Sequence, residues 1–258
     1  MVSYMSANLK EADLLGRGRS MLIGGFQKVT LLDFPGRVAT TVFTVGCNMR
    51  CPFCHNPGLV NAIGDTEPEE DFWEYLEDRK KLLDGVCITG GEPLIHDDIE
   101  EFIMKIRDKG LQVKLDTNGS FPDRLKSIID KGLVEYVSMD IKNTNARYPM
   151  TVGVPDFDTE PILRSIKIIE ESGIDHEFRT TVVDQLHRAE DFREIAGLIA
   201  NSERYFIQSF KDTGDLVSDN GKDGKQGKRY DPPAREKLDK MLEEAKEVIP
   251  GALIRGEE

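Results

Sequence analysis

The sequence predicts an α/β fold built as a partial (β/α)6 TIM-like barrel with parallel strands. Short β-branched strands alternate with amphipathic helices in six successive units, and this alternation specifies parallel strands joined by right-handed crossovers. The segments rich in Cys, Gly, Asp or Lys follow directly after predicted strands, where a parallel barrel carries its reactive residues. A closed barrel needs two more units than the sequence offers, so the barrel is expected to stay open.

Each predicted element has a local signal. The strands are short apolar runs that end at a turn or a polar segment, at 38–44, 86–89, 111–116, 134–140, 176–183 and 204–208. The helices carry an apolar residue every three or four positions, at 67–83, 97–109, 122–131, 159–172, 189–201 and 232 to about 248.

The chain divides into three parts by composition. Residues 1–20 show no clear period and are predicted to form a flexible leader. The barrel is predicted to occupy 21–210. Its first segment, 24–36, contains LLDFPG as a turn-rich loop before the first predicted strand. Residues 211–258 are predicted to form a polar loop and a C-terminal helix packed on the core, with an extra edge strand at 252–255.

Composition limits the partners. The net charge of -13 argues against non-specific binding to nucleic acid or to an anionic membrane surface. No apolar run approaches the roughly 20 residues of a membrane span. Free cysteines are typical of a reducing compartment. We therefore expect a cytoplasmic protein with no nucleic-acid or membrane partner.

Three cysteines organise the sequence TVFTVGCNMRCPFCHNP. Cys47, Cys51 and Cys54 are spaced C-x3-C-x2-C after a predicted strand, close enough for three thiolates to bind one iron-sulfur cluster. Because a 4Fe-4S cluster usually has four cysteine ligands, a three-cysteine loop leaves one iron open for reaction. Cys87 lies in a separate apolar run and is interpreted as a buried core residue.

Two other interpretations of this loop remain open. A structural disulfide requires an oxidising compartment, for which the sequence gives no signal. A Cys3His zinc site could recruit His55, although adjacent Cys54 and His55 cannot easily face one tetrahedral ion.

The cysteine spacing, with Phe53 before the third cysteine, resembles the signature of the radical S-adenosylmethionine (SAM) enzymes. The resemblance implies a 4Fe-4S cluster whose open iron is chelated by SAM. It also implies that one electron splits SAM into methionine and a 5'-deoxyadenosyl radical, with Phe53 beside the cofactor. The cofactor carries the difficult chemistry, and the protein positions it.

The segment Gly90, Gly91 and Glu92 follows the second predicted strand. Glycines allow a ligand to lie against the backbone, and a carboxylate suits an ammonium group. The resemblance implies contact with the methionine amino group of SAM. The alternative is a tight turn with a glutamate that caps a helix.

The order LDTNG, MDIK and FRTTVV is similar to that in glycyl-radical-enzyme activating enzymes. This resemblance implies that aspartate and threonine hold a monovalent cation beside SAM, and that the later lysine and arginine contact SAM. The alternative is that these charges only form internal ion pairs. The residues in these roles are Asp116, Thr117, Lys142 and Arg179, with Gln208 resembling a residue that lines the last strand of the SAM pocket.

Within the superfamily, the motifs resemble activating proteins of anaerobic ribonucleoside-triphosphate reductase. LLDFPG, FTVGCNMRCPFCHNP, ITGGEPL and LDTNG occur in order. The resemblance implies that Asp33 contacts the glycine loop of the partner, although an aspartate before Pro-Gly commonly caps a turn. His55 and Asn56 are further candidates for substrate contact.

The resulting hypothesis is an activating enzyme that makes a glycyl radical on anaerobic ribonucleotide reductase, with flavodoxin or ferredoxin as electron donor. One alternative is a radical SAM enzyme that acts on a small molecule, as 7-carboxy-7-deazaguanine synthase does, or on another protein. Another is a zinc-binding module. The chain departs from some activating enzymes because it has no second cysteine set, and residues 211–230 lack the expected proline-rich pattern.

Overall fold

A single eight-stranded sheet organises the computed structural model, which describes residues 21–62, 66–212, 216–220 and 230–256. Neighbouring strands in the sheet are also neighbours along the chain. The predicted leader at 1–20 and the GKDGKQGK run lie outside the described residues. The strands are β1 (Ile23–Thr30), β2 (Ala39–Thr44), β3 (Gly85–Gly90), β4 (Gln112–Thr117), β5 (Tyr136–Asp140), β6 (Asp175–Val182), β7 (Tyr205–Ser209) and β8 (Leu253–Ile254).

The predicted parallel barrel is confirmed. Strands β2 to β7 pair in parallel, each with the next, and β8 pairs in parallel with β7 as the predicted edge strand. Each predicted strand corresponds to an observed one within a few residues, because buried parallel strands are short apolar runs that are easy to recognise.

Strand β1 corrects the prediction that the first strand begins at 38, because it precedes the LLDFPG loop. It pairs antiparallel with β2, and Phe26 lies opposite Val42. The glycines at 24 and 25 lower the strand propensity of this segment. Tertiary contacts stabilise the strand despite this low propensity. Phe26 packs on Phe72 and Tyr75, with ring centroids 5.5 and 5.2 Å apart.

Helices follow the strands as predicted, and two short helices were not predicted. The short ones, α1 and α5, contain five residues each, too few to show an apolar period. Helix α4 packs on α6, and α7 packs on the C-terminal helix α8. The helices are α1 (Pro57–Asn61), α2 (Glu69–Arg79), α3 (Ile99–Arg107), α4 (Pro122–Asp130), α5 (Tyr148–Val152), α6 (Glu160–Ser172), α7 (Asp191–Leu198) and α8 (Arg235–Lys246).

The two faces of the sheet have different compositions. Val113 and Leu115 on β4 belong to the apolar core, while the alternate residues Lys114 and Asp116 point to the opposite face. There Asp116 reaches Arg179 on β6, across the intervening β5. A contact between strands that are not adjacent is expected when the sheet is curved. The face inside the barrel is therefore charged, and the face covered by the helices is apolar.

Part of the predicted polar loop packs against the cysteine segment. Leu216 is buried, and the backbone N–H groups of Val217 and Ser218 donate to the carbonyl oxygens of Cys54 and Pro52 at 3.1 Å each. Among the described residues, no helix is both long and apolar enough to cross a bilayer.

Candidate functional site

The three cysteines of the motif line one cavity of about 220 Å³ where the parallel strands end, here called the cysteine cavity. Backbone hydrogen bonds fix the cysteine loop on both sides. Arg50 N donates to Val152 O at 2.8 Å, and Cys54 N donates to Cys51 O at 3.0 Å. The loop is therefore held by α5 and by its own turn.

Burial controls the acidity of two of these thiols. It raises the pKa of Cys47 to about 11 and that of Cys51 to about 12. The positive charge of Lys142 opposes this increase at Cys51, and the N–H of Met49, 3.4 Å from the Cys47 sulfur, opposes it at Cys47. Cysteine binds metal as the thiolate, so a bound cation has to supply the compensating charge.

The donor set fits an iron-sulfur cluster. Three cysteine sulfurs in one partly enclosed cavity are the ligands that such clusters use. Across the described ranges, no three His, Cys, Asp or Glu side chains are grouped so as to hold a single metal ion. Thiolates that bind three different irons of a cluster lie further apart than thiolates that bind one metal ion. A cluster therefore requires a wider separation of the three sulfur atoms than a single-ion site does.

The glycines at the end of β3 and directly after it allow two loops to make backbone contact. A Cβ on Gly90, whose φ is +116°, would lie 2.3 Å from Thr44 N, and one on Gly91 would lie 1.9 Å from Gly46 O. Gly91 N donates to Thr44 O at 2.9 Å. Both glycines line the cysteine cavity, and only glycine permits this approach.

Glu92 does not line the cavity. Its buried carboxylate accepts hydrogen bonds from Leu94 N at 3.1 Å, Thr117 Oγ1 at 2.8 Å and Asn118 N at 2.6 Å. Burial raises its pKa to about 7 although these donors oppose the shift. The side chain therefore connects the loops after β3 and β4. The glycine backbone, and not the Glu92 carboxylate, lines the cavity.

Asn118 is a site residue that the sequence motifs did not predict. Its Nδ2 lies 2.9 Å from Asn48 Oδ1 and 3.9 Å from the Cys47 sulfur. It therefore connects the loop after β4 to a cysteine ligand. Its position directly after Asp116 and Thr117 was the available sequence signal.

Alternating charges cross the barrel beneath the cysteine cavity. Arg179 donates to Asp140 Oδ1 through Nε at 2.5 Å and to Asp116 Oδ2 through Nη2 at 3.0 Å. Lys142 Nζ lies 2.9 Å from Asp140 Oδ2. These are the internal ion pairs that the sequence allowed as an alternative, and the same side chains also line the cavity.

The charges fix the ionisation of both acids. Burial alone would raise the pKa of Asp116 and Asp140, but neighbouring cations, with Arg179 contributing most, hold the pKa of each carboxyl below its usual value. Burial likewise opposes the charge on Lys142, but its interactions with Asp140 and Cys51 together outweigh burial, so the pKa of Lys142 is raised. The cavity floor is therefore fully charged.

Aromatic rings close the other side of the cavity. The His55 ring stacks on Phe210 with centroids 5.1 Å apart and an interplanar angle of 8°, and Phe53 meets the same ring edge-on at 6.3 Å. His55 and Asn56, nominated for substrate contact, lie in the cysteine cavity.

Most of the predicted residues converge on this cavity, and its polar lining also includes Thr89 and Thr181, which were not predicted. Gln208 instead donates to Thr181 Oγ1 at 2.6 Å and lines a second cavity. The predicted residues that line the cysteine cavity are Cys47, Cys51, Phe53, Cys54, His55, Asn56, Gly90, Gly91, Asp116, Thr117, Lys142 and Arg179.

The second cavity, here called the opposite cavity, has a volume of about 800 Å³. Its lining includes Gln112, Tyr136 and Asp175, the first residues of β4, β5 and β6, so it lies at the end where the strands begin. Asp116 and Arg179 line both cavities. The barrel interior is thus shared by two openings that meet at this ion pair.

Asp33 lies at the opposite cavity, not beside the cysteines. Its Oδ2 accepts a hydrogen bond from Thr41 Oγ1 at 2.6 Å, so the carboxylate bonds to β2 and does not cap its own turn. Phe34 beside it is buried against Tyr136, with ring centroids 6.4 Å apart. The LLDFPG loop is therefore anchored by Phe34 and presents Asp33 to the interior.

An open parallel barrel with a three-cysteine cavity at its strand ends defines an iron-sulfur enzyme of the α/β class. The chain belongs to the Radical SAM superfamily, whose family model matches residues 41–199, more than half of the chain. Enzymes of this family use a 4Fe-4S cluster and SAM, and the three cysteines lie within the matched region.

Relatives agree with this assignment. A Methanocaldococcus jannaschii protein named as a glycyl-radical enzyme activating enzyme is 28% identical over 91% of this chain and 95% of its own length. The pyruvate formate-lyase-activating enzyme of Clostridium pasteurianum is 29% identical over 69% of this chain and 76% of its own. The fold matches Escherichia coli coproporphyrinogen III oxidase with a TM-score of 0.55, at 17% identity over 84% of this chain and 53% of that one.

Proposed function

We propose that this radical SAM enzyme activates a glycyl radical enzyme, and that its partner is the anaerobic ribonucleoside-triphosphate reductase. The observation that carries the proposal is the pair of cavities that meet at Asp116 and Arg179. A cofactor held at the cysteine end and a polypeptide segment entering at the opposite end would approach each other there. The relatives that match most of the chain carry activating-enzyme names, which supports the same class.

In this proposal the three cysteines hold the cluster and the glycine backbone holds SAM. When bound, the cluster supplies the electron that splits SAM and so starts hydrogen-atom removal from a glycine of the partner. Gly90 and Gly91 allow the methionine amino group to lie against the backbone, while the buried Glu92 keeps that backbone in place. Lys142 and Arg179, which line the same cavity, would bind the carboxylate of SAM.

The remaining predicted residues have complementary roles. Phe53 and Phe210 exclude water from the cysteine cavity, which protects a reactive radical from side reactions. Asp33 contacts the entering partner segment from the opposite side. A role for Gln208 in SAM binding stays a prediction. The electron donor is a flavodoxin or a ferredoxin, as the resemblance implies.

The deciding experiment is anaerobic electron paramagnetic resonance (EPR) spectroscopy of the reconstituted, reduced protein. With SAM and anaerobic ribonucleotide reductase added, we expect a glycyl radical doublet. Cys51→Ala, which removes one cluster ligand, should abolish the signal, as should replacement of the radical-bearing glycine in the reductase. A doublet with pyruvate formate-lyase and none with the reductase would support an activating enzyme of glycyl radical enzymes. The same result would reject the reductase as its partner.

The same preparation tests the alternatives. Iron and sulfide near about four each per chain are expected for a 4Fe-4S site, whereas stoichiometric zinc with neither would reject the proposal. SAM cleavage that depends on a deazaguanine precursor, with no radical on any glycyl radical enzyme, would assign the protein to small-molecule chemistry instead.

Asp33 provides a test of the partner contact. In Asp33→Asn, the amide oxygen can still accept from Thr41, so the loop should keep its position while the carboxylate charge is lost. We expect the yield of glycyl radical to fall about tenfold, the equivalent of roughly 1.4 kcal/mol. SAM cleavage without partner should be unchanged. The exposed control Asp130→Asn should change neither, and an equal loss of both activities in Asp33→Asn would place Asp33 outside partner contact.

A further inference from the structure

Lys114 is a buried cation that the proposed chemistry does not use. It lies on β4, and its side chain is 3% exposed. Its neighbours across the sheet are Cys87 on β3 and Tyr136 on β5. The ammonium group is hydrogen-bonded to Asp116 Oδ1 and lies 5.9 Å from the centre of the Tyr136 ring. A buried lysine of this kind is costly unless it is paired.

Asp116 has no free acceptor position in this arrangement. Its Oδ1 contacts Lys114 Nζ and lies 3.8 Å from the Cys87 sulfur. Its Oδ2 accepts from Arg179 Nη2 at 3.0 Å and from Thr89 Oγ1 at 3.2 Å. A carboxylate offers about four acceptor sites, and four donors already surround it.

The electrostatics agree with the geometry. Burial alone would lower the pKa of Lys114, but its interactions with Asp116 and Cys87 together outweigh burial, so the pKa of Lys114 is raised and the ammonium stays charged. Asp116 is accordingly held ionised between Lys114 and Arg179. Its negative charge is already balanced by the protein.

The resemblance to activating enzymes implied a monovalent cation at Asp116 and Thr117, and these side chains do not fit one. Thr117 Oγ1 is also engaged, since it donates to Glu92 Oε1 at 2.8 Å and accepts from Gly119 N at 3.1 Å. A metal ion could bind Asp116 only by displacing one of its present donors.

We propose that the Lys114 ammonium is a built-in cation that replaces a monovalent metal ion beside Asp116. SAM binding and the stability of this protein are then independent of sodium and potassium. The inference rests on SAM binding in the cysteine cavity, and it does not depend on the identity of the glycyl radical partner.

The experiment compares potassium, sodium and choline chloride at equal ionic strength. The first readout is the melting temperature of the cluster-free protein, which needs neither SAM nor partner. The wild-type value should be the same in all three salts. Lys114→Met leaves Asp116 with an acceptor position open, so its melting temperature should be lower in choline and should rise with potassium or sodium concentration, as for any ligand that binds the folded state.

The second readout is SAM affinity of the reconstituted protein. Wild type should bind SAM equally in the three salts, and Lys114→Met should bind about tenfold more weakly in choline than in potassium. Lys114→Arg keeps a cation and should remain insensitive to the salt. The exposed control Lys126→Met should behave as wild type.

Specific outcomes would overturn the proposal. Wild-type protein stabilised by potassium or sodium over choline would show that a metal ion binds despite Lys114. A Lys114→Met protein with no cation-dependent gain would show that Lys114 does not occupy a cation position. If Lys114→Met does not fold, Lys114→Gln and the wild-type comparison still decide. If the wild-type protein and all variants fail to bind SAM, the proposed SAM site is wrong. The melting temperatures would still show whether Lys114 takes the place of a metal cation.

Discussion

At the scale of single residues, Gly91 shows how a missing side chain builds the site. The carbonyl oxygen of Gly46, in the cysteine loop, would lie only 1.9 Å from a Cβ at Gly91. Gly46 also accepts a hydrogen bond from Glu92 N at 2.8 Å. The loops after β2 and β3 are therefore in direct backbone contact, and the relative position of the cysteines depends on that contact.

We predict that Gly91→Ala lowers the free energy of unfolding of the cluster-free protein by about 2 kcal/mol or more, since the backbone of one loop must move. Iron incorporation should also fall. Urea unfolding and iron analysis measure the two effects. The control is Gly197→Ala in α7, where a Cβ meets nothing within 4 Å; it should be neutral or stabilising by up to about 1 kcal/mol. Equal stability of the two variants would contradict the prediction.

At the scale of elements, strands β4, β5 and β6 are joined by charges inside the barrel. Asp140 lies between Arg179 and Lys142, and its pKa is held below the usual value of 3.8 although burial opposes this. A carboxyl with a lowered folded-state pKa stabilises the protein above its unfolded pKa, and this contribution is lost as pH falls.

We predict that Asp140→Asn costs about 2 kcal/mol of unfolding free energy near neutral pH, because two buried cations lose their charged partner. The difference from wild type should shrink as pH falls below about 4, where the unfolded-state carboxyl is protonated. Urea unfolding of cluster-free protein from about pH 7 to 3 measures it. Asp123→Asn, at an exposed ion pair with Arg164, is the control and should change little. A pH-independent difference would refute this explanation.

The last strand is tied to the barrel interior by one arginine. Arg255 follows β8, and its Nη2 donates to Glu177 Oε1 at 2.6 Å. Its guanidinium lies 4.0 Å from the centre of the Phe206 ring. Glu177 is 3% exposed and also accepts from Ser138 Oγ at 2.5 Å, so it needs the arginine to balance its buried charge.

We predict that Arg255→Met lowers the free energy of unfolding by about 2 kcal/mol, because the buried Glu177 loses the guanidinium that donates to its Oε1. Hydrogen exchange should also increase at the backbone amides of β8 and β7. Arg164→Met removes the exposed pair with Asp123 and should cost less than about 0.5 kcal/mol. Similar costs for the two variants would show that the Glu177 pair adds no stability.

At the scale of the whole molecule, the two openings of the barrel differ in their rims. Leu31 and Leu32, on the LLDFPG loop at the opposite cavity, are 69% and 85% exposed. Adjacent leucines this exposed are common at contact surfaces. They lie on the same loop as Asp33, so the proposed partner would cover them as it enters the cavity.

We predict that the double variant Leu31→Ser, Leu32→Ser lowers glycyl radical formation on the partner about tenfold, the equivalent of roughly 1.4 kcal/mol. Its melting temperature and its SAM cleavage without partner should stay unchanged, because both side chains are exposed. Leu82→Ser, at a leucine that is 67% exposed and lies outside both cavities, is the control. Unchanged radical formation in the double variant would remove this surface from the partner interface.

Local patterns could predict the parallel core because buried strands and amphipathic helices carry their signals within a few residues. Strand β1 was missed since its stability comes from Phe26 packing on α2, and no local pattern contains that contact. The motifs likewise located the cysteines and glycines, whose chemistry is local. Glu92 was expected to face the ligand, and the structure turns it inward to the Thr117 hydroxyl and the Asn118 N–H.

The sequence alone determined the three-cysteine ligand set, the alternation of strands and helices, and the order of motifs at the strand ends. Tertiary structure alone decided which side chains donate to one buried carboxylate. Asp116 accepts from Lys114, Arg179 and Thr89, which lie on three different strands. It also decided that Asp33 lies at the opposite opening from the cysteines. The reason is that ligand chemistry follows from residue type and spacing, whereas charge balance depends on the curvature that brings distant strands together.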